Sequence, residues 1–148
     1  WSFSSTCSLT CSCSCSCPPS STSTEATPSA RSRYPPMLTF QKLDVYQCSI
    51  EFAAIATDLC NAIPRGHTVL RDQLRRAAFS VPLNIAEATG RVSAADGAQH
   101  FAIARGSAME CAAVLDIIRL LGVLTDDQHR QAAELLARMV SMLSKLSR

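Results

Sequence analysis

The sequence predicts an all-α fold: an antiparallel up-down-up-down four-helix bundle over residues 37–148, preceded by a disordered Ser/Cys/Pro-rich extension over residues 1–36. Three observations carry that prediction. From Met37 onward apolar side chains recur at three- and four-residue steps, with no strand-like alternation. Stop and start signals at Pro64 to Thr68, Gly90 to Ser93 and Gly122 to Thr125 divide the region into four long segments with short links, as antiparallel neighbours require. Composition also changes sharply near Met37, and aliphatic side chains are scarce before it.

The extension holds Cys7, Cys11, Cys13, Cys15 and Cys17 among Ser, Thr and Pro. Its Cys-x-Cys spacing does not fit a zinc ribbon, whose ligand pairs are separated by two to four residues and matched by a distant second pair. No basic start followed by an apolar stretch marks it as a secretory signal. Met37 is therefore expected to be the natural start, with residues 1–36 a disordered extension or translated upstream sequence.

The first helix is expected over roughly residues 40–62. Asp44, Gln47, Glu51, Asp58 and Asn61 form a narrow polar stripe on it. One apolar face carries Val45, Cys48, Phe52, Ile55 and Leu59, and another carries Leu43, Tyr46, Ile50 and Ala53. So wide an apolar arc fits either a second packing surface, such as another subunit, or a helix deep in its own bundle.

Pro64, Arg65 and Gly66 end that helix, and Thr68 is placed to cap the second, which runs to about Ala88. Leu70, Leu74, Ala77, Val81 and Ile85 form its core stripe. Gln73, Ser80, Asn84 and Glu87 lie on the adjoining one. Pro82 removes a backbone donor and crowds the Ala78 carbonyl, so a kink or local opening is expected, with Ser80 and Asn84 placed to satisfy freed backbone groups.

Gly90 stops the second helix, and Ser93 with Asp96 starts the third. Ile103, Ser107, Glu110, Val114, Ile117 and Leu121 share one face, which sets Ser107 and Glu110 in line with core aliphatics. Phe101, Ala104, Ala108, Cys111, Leu115 and Ile118 form a second apolar face, small enough for close approach of another helix. After Gly122, Thr125-Asp126-Asp127-Gln128 is a capping box with two acids for the helix dipole. In the fourth helix Leu135, Leu136, Met139, Met142, Leu143 and Leu146 face inward, against a solvated face of Arg130, Glu134, Arg138 and Lys145.

Gln73, Ser80, Asn84, Glu87, Ser107 and Glu110 are expected to form one inward-facing structural polar network, because a buried polar group without a partner costs about 1 to 3 kcal/mol. Catalysis is not expected of it. Ser107 and Glu110 could be nucleophile and base, but no histidine or lysine shares their face to complete a relay. Glu87 and Glu110 lack the Glu-x-x-His partners of carboxylate-bridged metal bundles, so neither metal nor cofactor is expected. Arg71, Arg75, Arg76 and Arg91 are the densest positive group and the candidate nucleic-acid contacts, an ordinary solvated face being the alternative. The region from Met37 onward carries one excess positive charge, without the strongly basic balance of a dedicated nucleic-acid binder. Cys48, Cys60 and Cys111 read as small packing residues in a reducing compartment, hence a cytoplasmic protein. No apolar run approaches the roughly 20 residues that span a bilayer.

Gln73-Leu74-Arg75-Arg76-Ala77, Ser80-Val81-Pro82-Leu83-Asn84-Ile85-Ala86-Glu87, Gly90-Arg91, Phe101, Ile103-Ala104 and Gly106-Ser107 with Glu110 resemble the four-helix-bundle family of the 23S rRNA intervening-sequence protein. The resemblance covers residues 38–146, and its relatives include the accessory variability protein of diversity-generating retroelements. It implies a small antiparallel bundle that assembles as a ring-like homopentamer and, in the retroelement branch, binds RNA and a reverse transcriptase. Ala88 stands where the family usually has Gly, and this region is nearly neutral where the retroelement rings are strongly basic.

The function expected is a non-enzymatic homo-oligomeric scaffold or adaptor, pentameric by resemblance, for RNA or a nucleoprotein partner. The alternative is a protein-only interaction module with no nucleic-acid binding. Mass spectrometry of the native N-terminus is expected to find a product beginning at Met37, and a product that keeps Cys11 to Cys17 would overturn that reading.

Overall fold

A computed structural model describes residues 38–148. Met37, the extension and its thiol run lie outside the described residues. Four helices follow in order: α1 (Asp44–Ala62), α2 (Thr68–Gly90), α3 (Ala94–Leu120) and α4 (Asp126–Leu146), with short 3-10 turns at Thr39–Lys42 and Arg65–His67. There is no strand among the described residues. Each helix packs against two others in the cycle α1, α2, α3, α4, while the diagonal pairs make no close backbone contact. The α2 and α3 pair has the most extensive contact. Side-chain bonds from Ser80 to Ser107 and from Asn84 to His100 show that these two helices run antiparallel.

One core runs through the bundle. Phe52 of α1, Leu74, Val81 and Ile85 of α2, Cys111, Leu115 and Ile118 of α3, and Leu136, Met139 and Leu143 of α4 are all buried within it. Apolar burial of this kind contributes roughly 1.5–3 kcal/mol per large side chain, the main favourable term in a helix bundle.

The first helix starts later than the periodicity predicts. Leu43 is extended, at φ −72° and ψ 129°, and separates the Thr39–Lys42 turn from α1. The turn is tied back by Gln47 Nε2 donating to the Gln41 carbonyl at 2.5 Å and by Phe40 packing edge-on to Tyr46, with centroids 4.9 Å apart. Of the second apolar face of α1, Ala53 is buried, Leu43 and Tyr46 partly so, and Ile50 is exposed. Ser49 is the buried polar residue among the described residues, and its hydroxyl donates to the Tyr46 carbonyl at 2.6 Å.

Thr68 is not a cap. The Arg65–His67 turn feeds straight into α2, so His67 takes the flanking position and Thr68 is already helical at φ −57° and ψ −35°. Pro82 does not break α2, which is continuous from Thr68 to Gly90. Asn84 Nδ2 donates to the Ser80 carbonyl at 2.8 Å, two residues on from the Ala78 carbonyl that loses its donor.

Both later start signals form caps. Ser93 Oγ accepts from the Asp96 N–H at 3.5 Å. The Thr125 box is reciprocal: Gln128 N–H donates to Thr125 Oγ1 at 3.2 Å, and Thr125 N–H to Gln128 Oε1 at 3.0 Å. Arg119 paired with Asp126 and His129 Nε2, 2.8 Å from Asp116, fasten the α3–α4 corner. Gly122, at φ +68°, makes the left-handed turn there that a side chain would strain.

The expected inward face of α3 needs correction. Ala104, Ala108, Cys111, Leu115 and Ile118 face the core, whereas Ile103 (45% exposed), Ile117 (43%) and Leu121 (41%) face outward. Val114 alone of that stripe is buried. The smaller face wins because it lets α2 and α4 approach closely. Leu146 is likewise exposed at the end of α4.

Urea unfolding is expected to show Phe52→Ala costing about 3–5 kcal/mol, as full removal of a buried aromatic does. Thr125→Ala should cost about 1 kcal/mol through loss of the cap. Equal costs for the two would contradict a core-dominated fold.

Candidate functional site

Polar side chains gather along the seam where α2 meets α3. At 3.6 residues per turn, Gln73, Ser80, Asn84 and Glu87 fall beside the α2 core stripe, and His100, Ser107 and Glu110 fall on the facing edge of α3. Ser107 Oγ donates to Ser80 Oγ at 2.9 Å, and Asn84 Nδ2 donates to the same oxygen at 3.1 Å. His100 Nδ1 stands 3.3 Å from Asn84 Oδ1 and 3.5 Å from Glu87 Oε2. Arg91 donates to Glu87 at 2.5 Å.

A second group lies further along the helices. Gln73 donates its side-chain amide to Glu110, and Arg76 donates to Gln73 Oε1 at 3.3 Å with Glu110 at 3.9 Å. The six network residues thus form two clusters. They are half-buried at the bundle's edge rather than inward-facing, and Glu87 is exposed. The exposed position of Ile103 and Ile117 explains this, since Ser107 and Glu110 share their side of α3.

His100 belongs to the first cluster, and reading the chain for chemistry missed it. The signal was present: His100, Ser107 and Val114 recur at seven-residue steps, which places them in line on one helix side. His67 is exposed, and His129 binds Asp116.

The seam does not assemble a nucleophile and its base. Ser107 Oγ is engaged with Ser80 Oγ and with the Ile103 carbonyl at 3.2 Å, while Glu110 is engaged by Gln73. Among the described residues, no three His, Cys, Asp or Glu side chains converge as metal ligands, and no helix is long and apolar enough to cross a membrane.

The four candidate arginines do not form one patch. Arg71 and Arg76, five residues apart, point about 140° apart around α2. Arg76 and Arg91 brace the seam through Glu110 and Glu87. Arg71 and Arg75 lie one turn apart on the flank facing α1, where Cys60 Sγ donates to the Arg71 carbonyl at 3.4 Å. Arg71 Nε is the buried side-chain nitrogen without a hydrogen-bond partner among the described residues. Its neighbour Asp72 is 3.6 Å away, too far for a hydrogen bond. An orphaned N–H of this kind costs about 1–3 kcal/mol.

All three described cysteines are buried. Burial pushes the Cys111 thiol from 9.0 up to about 12, helped by the nearby Glu110 charge. Burial also raises Cys48 and Cys60, opposed at Cys48 by Arg138 and at Cys60 by Arg75 and Arg71.

A family model described as 23S rRNA-intervening sequence protein matches residues 41–145. No curated protein matches the chain. Among solved structures, the chain is similar to a protein with unknown function from the S23 ribosomal protein family of Bacteroides thetaiotaomicron, with a TM-score of 0.66 and 24% identity. That likeness covers 70% of this chain and 98% of the other, and at that identity it speaks for the fold.

The raised thiol gives a signed pH dependence. Below pH 9.0 Cys111 is protonated in both folded and unfolded chains; as pH rises toward about 12 the unfolded chain loses its proton first, so stability falls. Urea midpoints measured across that interval are expected to decline, and Cys111→Ala should flatten part of the decline. A Cys111→Ala profile parallel to the parent's would contradict the assignment.

Proposed function

The chain belongs to the 23S rRNA-intervening sequence protein family, and from that premise we propose that it is a non-enzymatic, homo-oligomeric scaffold that presents a repeated surface to RNA or a nucleoprotein partner. The observation that carries the reading is the outward stripe of α3. Ile103, Ile117 and Leu121 are 14 and 4 residues apart, so they lie in line down one side of the helix, each exposed by more than two fifths. A helix that buries one apolar face in its own core and leaves a second in water has a surface suited to another subunit. The family resemblance supplies the pentameric ring as the preferred closed assembly, because repeated heterologous contacts must close to avoid filaments.

Charge bears on the partner. Arg76 and Arg91 are engaged by Glu110 and Glu87, which favours the second reading, a protein-only interaction module. Arg75, on the other flank, has no ion pair within 4.0 Å among the described residues and keeps the nucleic-acid reading in play.

Light scattering with two-wavelength absorbance on the purified chain measures mass and bound nucleic acid together. About five chains per particle, carrying nucleic acid that salt releases, is the expected result. Ile103→Asp with Ile117→Asp should give a folded monomer. A parent chain that is monomeric at micromolar concentration would sink the scaffold reading, and a clean assembly free of nucleic acid would select the protein-only module.

A further inference from the structure

A head-to-tail ring needs two different faces on each chain, and the outward stripe of α3 supplies part of one. Arg76 and Glu110 stand 3.9 Å apart across the outer lip of the α2–α3 seam. Because the helices are antiparallel, seven residues onward in α2 and seven back in α3 Leu83 falls beside Ile103, and the opposite step sets Val69 beside Ile117. All four apolar residues are exposed. The outer face of the pair is therefore a groove about 21 Å long, apolar at both ends, with Arg76 at its middle. That arginine side chain is 75% exposed. A helix face of the same chain matches the groove. On α1, Gln47, Ile50, Ala54, Thr57 and Asn61 recur at steps of three and four, all exposed and none charged. Thr57 turns its hydroxyl onto the Ala53 carbonyl at 2.8 Å, so its polar group is already satisfied within the helix. From Gln47 to Asn61 the stripe also runs about 21 Å. The outward face of α4 is no such match, since Arg130, Glu134, Arg138 and Lys145 charge it along its length.

We infer that the uncharged stripe of α1 in one copy seats in the α2–α3 groove of the next, with the acidic edge of α1 over Arg76. The inference rests on the homo-oligomeric scaffold reading and supplies the second of the two faces that reading requires. Charge selects the occupant: α1 carries Asp44, Glu51 and Asp58 and no lysine or arginine. Glu51 and Asp58 lie three residues before and four after Ala54, the centre of the stripe, so either direction of entry brings a carboxylate within a turn of Arg76. Glu110 on the α3 lip is held by Gln73 and repels that edge, which therefore lies over the α2 lip. Position also fits closure. α1 packs against α2 and α4 and makes no close backbone contact with α3, so its outward stripe is neither on the same side of the bundle as the groove nor opposite to it. Each contact then turns the next copy, and turning contacts close into a ring where opposed ones extend into a filament.

The test compares two surface variants of the full chain by light scattering. Ile50→Asp with Ala54→Asp spoils the stripe, and Leu83→Asp with Ile103→Asp spoils the groove. Each is expected to be monomeric at a micromolar concentration where the parent is assembled, with a cooperative circular dichroism melt. Mixed one to one, they should form a particle of two chains, because one sound stripe meets one sound groove and both remaining faces are spoiled. Arg76→Glu should weaken assembly of the parent about tenfold, and Asp58→Arg added to the same chain should recover most of that loss. A stripe variant that assembles like the parent, or a mixture that stays monomeric, would overturn the pairing and leave the scaffold reading standing. Losses from Arg76→Glu and Asp58→Arg that simply add would overturn the placement of the acidic edge over Arg76. A monomeric parent would remove the scaffold reading and the pairing together.

Discussion

Between the end of α2 and the start of α3, backbone stands almost against backbone. A Cβ on Gly97 would lie 3.1 Å from the Ala88 carbonyl oxygen, so the two helices meet there with no side chain between them. Alanine continues the arrangement, with Ala77, Ala78 and Ala88 buried on α2 and Ala104 and Ala108 buried on α3. Contacts between small residues exchange side-chain bulk for proximity, and dispersion energy falls off within an ångström of extra gap. The most extensive helix pair in the bundle therefore has little room for enlargement at Gly97.

Close approach fixes what the flanking polar residues can do. With α2 and α3 locked at this spacing, short side chains such as Ser80 and Ser107 bridge them directly, and Gln73 reaches Glu110. Hydrogen bonds of this sort contribute only about 0.5–1.5 kcal/mol each. Their directional demand is stricter than their energy, since a slide of one helix along the other would break all of them together. The seam thus specifies register, while the alanine face specifies distance.

Helix number, order and the later caps were legible because they are local. Thr125 with Gln128, and Ser93 with Asp96, announce their geometry within four residues. What was not legible depended on comparing faces. Both apolar sides of α3 have helical spacing, and the Ile103 and Ile117 side carries the larger aliphatics but also Ser107 and Glu110. The core takes the alanine side, which is apolar throughout and small enough for α2 to approach closely. The same misjudged rotation placed Ser107 and Glu110 too deep and passed over His100. The arginines looked like one cluster because proximity in sequence hides a rotation of about 100° per residue. Thr68 read as a cap until the preceding turn placed it one step inside the helix.

Cys48, Cys60 and Cys111 are enclosed on α1 and α3, as protonated thiols closed to oxidants and to one another's chains. Opening the bundle releases all three at once, and their pKa values return to the range in which thiolates attack disulfides. Refolding then competes with covalent cross-linking between molecules. Outside a reducing environment these three thiols react only as often as the helices separate, so their survival is a matter of rate rather than of equilibrium.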